Sequence, residues 1–222
     1  REMGVGPDLV IGHSMGEVGA ACIAGVLDIE QAMRIVCRCG ALMRRTSGQG
    51  AMALVELSFD DARRRLGVRA DRLSVAVSNS PRSSVVSGEP AALRQLVDDL
   101  QADGVFCRHV KVDVASHSPQ MAPLAAALVD ELADLRPAPG RVGIISTVLA
   151  RAATGAEFDA AYWGRNLREP VRFAQAVEQA LAGGARLFVE LGPHPVLLPS
   201  IQQTAQARGI EATTVACGVR EQ

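Results

Sequence analysis

Lysine is almost missing from this sequence: Lys111 stands alone among 23 basic residues, the rest being arginine, a bias that carries no functional reading. Neither sign of charge is in excess. With a formal net charge of -1 and 21% charged residues, there is no basic stripe for nucleic acid and no cationic face for an anionic membrane. No apolar stretch approaches the roughly 18 residues of a membrane span, and the opening "REMGVGPD" has no signal-peptide pattern. Cysteine is sparse and odd in number: Cys22, Cys37, Cys39, Cys107 and Cys217 are scattered and share no metal-like spacing with the 4 histidines. Reduced thiols in a cytoplasmic protein, with no metal and no tightly bound cofactor, are the expectation. Repeats and low-complexity segments are absent too.

What is present is apolar bulk. At 222 residues and 48% hydrophobic, the chain can bury one large core or a core with an inserted lobe. "DLVIG" (8–12) reads as a buried strand and "EVGAACIAGVL" (17–27) as a close-packed helix. A second helix starts at Asp28, with Gln31 completing a capping box. Its apolar stripe is read as Ile29, Ala32, Met33, Val36, Cys39, Gly40 and Met43, which turns Cys39 inward and Arg38 outward. From residue 51 to 113 the order is strand, helix, strand, strand, helix, strand, the split βαβ pattern of ferredoxin-like folds. Residues 1–50 and 114–222 alternate strands and helices, with Pro170 expected to open the helix "PVRFAQAVEQALAGG". The fold class is therefore α/β: a mostly parallel sheet covered by helices on both faces in a discontinuous large subdomain, with a ferredoxin-like small subdomain inserted at 51–113.

The chemistry centres on "IGHSMGEVG". In Gly12-His13-Ser14-Met15-Gly16, two glycines allow a sharp turn from strand into helix, exposing the Ser14 hydroxyl at the strand's carboxyl end. The N–H of Met15, at the positive end of the next helix, would face an oxyanion formed on a carbonyl attacked by Ser14. On its own the pattern fits a small turn residue about as well as a nucleophile. Ser14 needs a base, and pattern favours His117, between a strand and a helix, over His194 in a proline-flanked loop. A helix-capping role for His117 and a helix-end role for Asn166 stay open at this level.

Together "GHSMGE", "ASHSPQM", "YWGRNLREPVRF" and "ELGPHPVL", in this order around the inserted lobe, resemble the acyltransferase domain of modular polyketide synthases and fatty acid synthases, the malonyl-CoA:acyl-carrier-protein transacylase family. The wording "VDVASHSPQM" is most similar to mycobacterial synthases. The resemblance implies an α/β-hydrolase-like sheet and ping-pong transfer. Ser14 takes an acyl group from acyl-CoA with His117 as base, and the phosphopantetheine thiol of an acyl carrier protein then takes it from the serine. It further implies that the side-chain carbonyl of Asn166 orients His117. Val114, Ala115 and Ser116 fall on its specificity motif, and ketosynthase and linker domains are implied as neighbours.

Two departures qualify those expectations. The family's upstream "GQGSQ"-like segment, source of a second oxyanion donor, has no match, so the chain is expected to be a piece of a longer domain with weak activity alone. Where extender-unit enzymes carry a carboxylate-binding arginine stands Cys39, with Arg38 about 100° away around the helix. The small Ser116 resembles the methylmalonyl type, which is the expected acyl group. Cys39 favours the alternative, a monocarboxylic starter-type group, or a catalytically weak scaffold domain. A serine hydrolase is the remaining reading, but its acid would have to come from Asp60, Asp61, Asp98 or Asp99, on helices of the inserted lobe.

Overall fold

Strand β1 (Leu9–Ile11) runs through Gly12 into helix α1 (Gly16–Ala24), which Gly25 ends with a left-handed φ of 79°. The structure, a computed structural model, describes residue 4 and residues 6–218. Helix α2 (Ile29–Met43) opens with the expected capping box: Asp28 accepts from the Gln31 N–H at 2.7 Å, and the Gln31 side chain accepts from the Asp28 N–H at 3.1 Å. Its buried row is Ala32, Ile35, Cys39 and Leu42, whereas Ile29 and Met33 are 70% and 52% exposed. The expected stripe mixes two rows: Ala32 and Cys39 are buried as expected, but Ile29, Met33 and Val36 are not. Residues 29, 33, 36 and 40 form a second apolar row of the same period, and packing on helix α5 (Ala122–Glu131), through Leu124 and Leu128, selects the other row.

The inserted lobe has the expected element order: β2 (Ala51–Val55), α3 (Phe59–Leu66), β3 (Leu73–Ser80), β4 (Ser83–Gly88), α4 (Pro90–Ala102) and β5 (Cys107–His109). Its strands lie in the order β5-β2-β4-β3, every neighbouring pair antiparallel. Strand β5 is short, because the Val112 N–H turns back onto the Val110 carbonyl at 2.8 Å and breaks the ladder.

The remaining elements are β6 (Gly143–Ser146), β7 (Arg151–Ala152), α6 (Ala160–Arg168), β8 (Val171–Arg172), α7 (Phe173–Ala182), β9 (Leu187–Glu190), α8 (Leu198–Ala207) and β10 (Thr213–Ala216). Strands β1 and β6 pair in parallel, as do β9 and β10, while β7 joins β6 antiparallel. The parallel strands thus form two short sheets rather than one. Helix α7 lies against both, with Ala176 and Ala180 in one apolar cluster with Ile145, Ile11 and Phe188.

Pro170 does not open a helix. The Arg172 N–H is taken by the Thr147 carbonyl at 2.9 Å, residues 171–172 pair in parallel with Val77 and Ser78, and α7 begins only at Phe173. Strand β8 therefore extends the inserted lobe's sheet with a strand from outside 51–113. That sheet is covered on both faces. Leu66, Leu93 and Leu96 of α3 and α4 close one side, and Phe173, Val177 and Ile201 of α7 and α8 close the other. Double coverage accounts for the nearly continuous burial of β3. The largest core gathers α1, α2, α5 and α6 around Trp163, Phe158, Ile35 and Leu42, each contributing roughly 1.5–3 kcal/mol by burial.

The two connections into and out of the inserted lobe press together at Gly50, where an added Cβ would stand 2.1 Å from the Ala115 nitrogen. Gly50→Ala is expected to lower stability by about 2 kcal/mol or more in urea unfolding. Gly40→Ala, in exposed helix with nothing within 4 Å of the new methyl, is expected to raise it by about 0.5–1 kcal/mol.

Candidate active site

The elbow is built by one glycine. A Cβ on Gly12 would stand 2.2 Å from the Glu17 Cα, so only glycine lets the strand pass under the first turn of α1; around Gly16 the space is open. Ser14 takes a left-handed φ of 54°, sparsely populated for a residue with a Cβ. The turn is closed by the Gly16 N–H to the His13 carbonyl and the Glu17 N–H to the Ser14 carbonyl, both at 2.9 Å. Among the described residues no acceptor takes the Met15 N–H, so this amide is free to donate to a ligand at the start of α1.

His117 reaches this elbow across 103 residues of sequence. Its Nε2 lies 2.7 Å from the Ser14 Oγ. Its Nδ1 lies 3.0 Å from the Glu169 backbone carbonyl, which can only accept, so the proton sits on Nδ1 and the Nε2 lone pair faces the hydroxyl. The His117 N–H is itself anchored on the Leu167 carbonyl at 3.2 Å, and φ at His117 is 58°. Among the described residues three non-glycine residues have a positive φ, and two of them are this pair. Burial is the main cause that lowers the His117 pKa, to about 4, against the smaller raising effect of the Glu169 carbonyl. The imidazole is therefore neutral and able to accept a proton throughout the physiological range.

Asn166 does not orient His117 through its side chain, contrary to the sequence-based expectation. Its amide nitrogen donates to Glu17 at 2.6 Å and to the Ser14 carbonyl at 3.3 Å, while the acceptor behind the imidazole is the backbone of Glu169. A main-chain carbonyl is available at every residue, so no side-chain pattern could have marked Glu169. Cys39 is inward and 3% exposed, in the apolar cluster against which Met15 packs, and burial pushes its thiol up to about 12. Arg38 points outward, 3.4 Å from Glu131. Val114 and Ala115 are buried and Ser116 half-buried just before His117.

The other histidines stay outside the pair. His194 and His109 are exposed, and His13 turns its Nε2 to Asn79 of β3 at 3.0 Å, against Phe173. Asp61 and Asp99 of the inserted lobe pair with Arg64 and Arg69, and the group behind the His117 Nδ1 is a backbone carbonyl rather than the carboxylate of a hydrolase triad. No group of three or more potential metal ligands occurs among the described residues.

These features define an α/β protein with a serine–histidine pair at a strand-to-helix elbow. The chain belongs to the acyl transferase domain family, whose model matches residues 1–221. It is 46% identical over 216 residues to erythronolide synthase EryA2 of Saccharopolyspora erythraea, covering 97% of this chain and 6% of that protein. Among solved structures it resembles the acyltransferase domain of phenolphthiocerol/phthiocerol synthase A from Mycobacterium bovis (BCG), with a TM-score of 0.93, 38% identity, and coverage of 99% and 85% of the two chains. The malonyl CoA-acyl carrier protein transacylase of Coxiella burnetii matches at a TM-score of 0.87 and 25% identity, covering 96% and 68%. The chain is thus an acyltransferase domain of polyketide-synthase type, spanning 6% and 11% of the first two curated relatives it matches.

A histidine with a lowered folded-state pKa binds its proton more readily when unfolded. Its contribution is present above about 6.5 and lost as pH falls toward about 4, a loss on the order of 3 kcal/mol. Urea unfolding between pH 7.5 and 4.5 is expected to show this decline, with a shallower slope for His117→Gln; parallel slopes would exclude it.

Proposed function

We propose that this domain transfers an acyl group from acyl-CoA to the phosphopantetheine thiol of an acyl carrier protein through an ester on Ser14. The 2.7 Å contact between the Ser14 Oγ and the His117 Nε2, with Nδ1–H held by a carbonyl, carries the reading. The Ser14 oxygen attacks the thioester carbon as its proton moves to the His117 Nε2, and that proton leaves with the CoA thiolate. In the second half the carrier thiol gives its proton to His117 and attacks the ester, and the Ser14 oxygen regains the proton as it departs. The Met15 N–H supplies one hydrogen bond to the oxyanion in each half. Both substrates are thioesters or thiols brought in from outside, so no resident cofactor is needed. The carrier domain and a neighbouring ketosynthase in a larger cytoplasmic synthase are the partners this reading requires.

For the acyl group, Ser116 favours a branched chain of methylmalonyl type, but the surroundings of Cys39 favour a neutral, monocarboxylic one. Cys39 belongs to an apolar cluster, and Arg38 is held on the surface beside Glu131. A carboxylate placed against Cys39 would lack a countercharge from either residue, and an unpaired buried charge is far costlier than a methyl group.

Intact-mass measurement after incubation with a panel of acyl-CoAs tests both parts, and because product accumulates on the protein even slow turnover registers. An acyl adduct is expected on the wild type and not on Ser14→Ala. Propionyl-CoA should load at least about tenfold faster than methylmalonyl-CoA, with Cys39→Arg narrowing or reversing that order. A wild type that prefers the carboxylated donor would overturn the acyl assignment, and an adduct surviving in Ser14→Ala would overturn the mechanism.

A further inference from the structure

Glu17 is fully buried and has no role in the transfer just described. It lies in the first turn of α1, and its N–H donates to the Ser14 carbonyl. Its carboxylate accepts three hydrogen bonds: from the Thr147 N–H at 2.6 Å and the Tyr162 hydroxyl at 2.9 Å on Oε1, and from the Asn166 amide at 2.6 Å on Oε2. All three partners are donors. Ser146 continues the chain, bonded to the Tyr162 hydroxyl at 2.7 Å while its own oxygen accepts from the Val148 and Leu149 N–H groups. Burial raises the Glu17 pKa and these bonds oppose the rise, and burial with the nearby Glu17 charge pushes the Tyr162 hydroxyl upward.

Tyr162 and Asn166 are four residues apart, on one face of α6. The two carbonyls that hold His117, Leu167 for its N–H and Glu169 for Nδ1–H, follow within three residues of Asn166. On its other side α6 presses against α5, where a Cβ on Gly164 would stand 2.6 Å from Val129. The position of this helix end therefore depends on what draws α6 toward α1.

We infer that Glu17 is a positioning residue: its buried carboxylate gathers Thr147, Tyr162 and Asn166 onto the first turn of α1 and so holds the carbonyls that aim His117 at Ser14. Three donors converging on one residue require an acceptor at every contact. Glutamine has the same shape but replaces one acceptor with a donor, leaving Asn166, or Thr147 and Tyr162, facing an N–H. Such a loss inside a low-dielectric network is costly to alignment as well as to the bond itself. The significance for catalysis rests on the proposed Ser14–His117 transfer, so the test needs one readout that does not depend on turnover.

The experiment uses the full chain with 15N-labelled histidine, His117 being assigned through His117→Gln. Exchange of the His117 Nδ1–H with solvent is measured alongside kcat and KM for acyl-CoA. Glu17→Gln and Asn166→Ala are each expected to speed Nδ1–H exchange at least about tenfold and to lower kcat by about 10- to 100-fold with KM within twofold. The double variant should fall well short of the product of the two singles, because the Glu17–Asn166 bond is common to both. Exchange unchanged in both singles, or effects that multiply in the double, would overturn the inference. If Glu17→Gln does not fold, Tyr162→Phe removes one donor and leaves the other two; it should speed exchange about threefold, and unchanged exchange overturns the inference. Faster exchange in a protein whose wild type forms no acyl adduct would support the positioning role while rejecting the transfer reaction.

Discussion

Gly12 lies so close to the backbone of Glu17 that no side chain fits between them. From that contact the site's other geometry follows. With β1 and α1 meeting back to back, the intervening residues must reverse within a very short turn, and Ser14 is forced into the left-handed region. A left-handed non-glycine residue costs roughly 1–2 kcal/mol, and His117 adds a second of the same kind. Both persist because the segments around them are fixed: the turn by its paired backbone bonds, the histidine by the carbonyls of Leu167 and Glu169. Strain and packing thus meet at the two atoms whose 2.7 Å separation matters for chemistry.

The relation between the two lobes follows from the same economy of contacts. The inserted lobe is not an appendage, since β8 joins its sheet from outside the insert and α7 and α8 cover its second face. His13, the neighbour of Ser14, bonds to Asn79 on β3, and Ser80 on the same strand bonds to Gln203 of α8 at 2.6 Å. These links tie the lobe's β3 to the elbow and to α8. Gly50 against Ala115 pins the crossing just ahead of Ser116 and His117.

Sequence made the local devices legible and left the contact-dependent ones hidden. The Asp28 capping box, the elbow glycine and the 51–113 topology are visible because each depends on residue types at short fixed spacing. The α2 stripe was misjudged because its helix carries two apolar rows of equal period, and only the neighbour α5 distinguishes them. Strand β8 was hidden because two residues after a proline look like a helix start until Thr147 claims the Arg172 N–H. The partner of Asn166 is hidden as well: its amide faces Glu17, and the acceptor behind His117 is a main-chain atom. Glu17 itself reads, from sequence, as an ordinary acid in a first helical turn, where its charge favours the helix dipole in any protein.

Electrostatics then separates what the site can bind from what it can do. His117 is neutral by burial and Cys39 is a protonated thiol, while the negative charge of Glu17 is enclosed behind the elbow by donors. Burial disfavours a positive charge on His117, and the Glu169 carbonyl on Nδ1–H partly offsets that by favouring the charged form. A carboxylate on Nδ1–H, as in a serine-hydrolase triad, would bias the imidazole more strongly toward the charged state. A neutral carbonyl keeps the base weak and readily deprotonated. In a transfer of the proposed kind the CoA thiolate departs easily in the first half, whereas the Ser14 oxygen must regain its proton to leave in the second, so one imidazole has to serve as acid as well as base. Cys39 lies in an apolar cluster while Arg38 is turned outward to Glu131, so neither residue offers a countercharge to a carboxylate placed there.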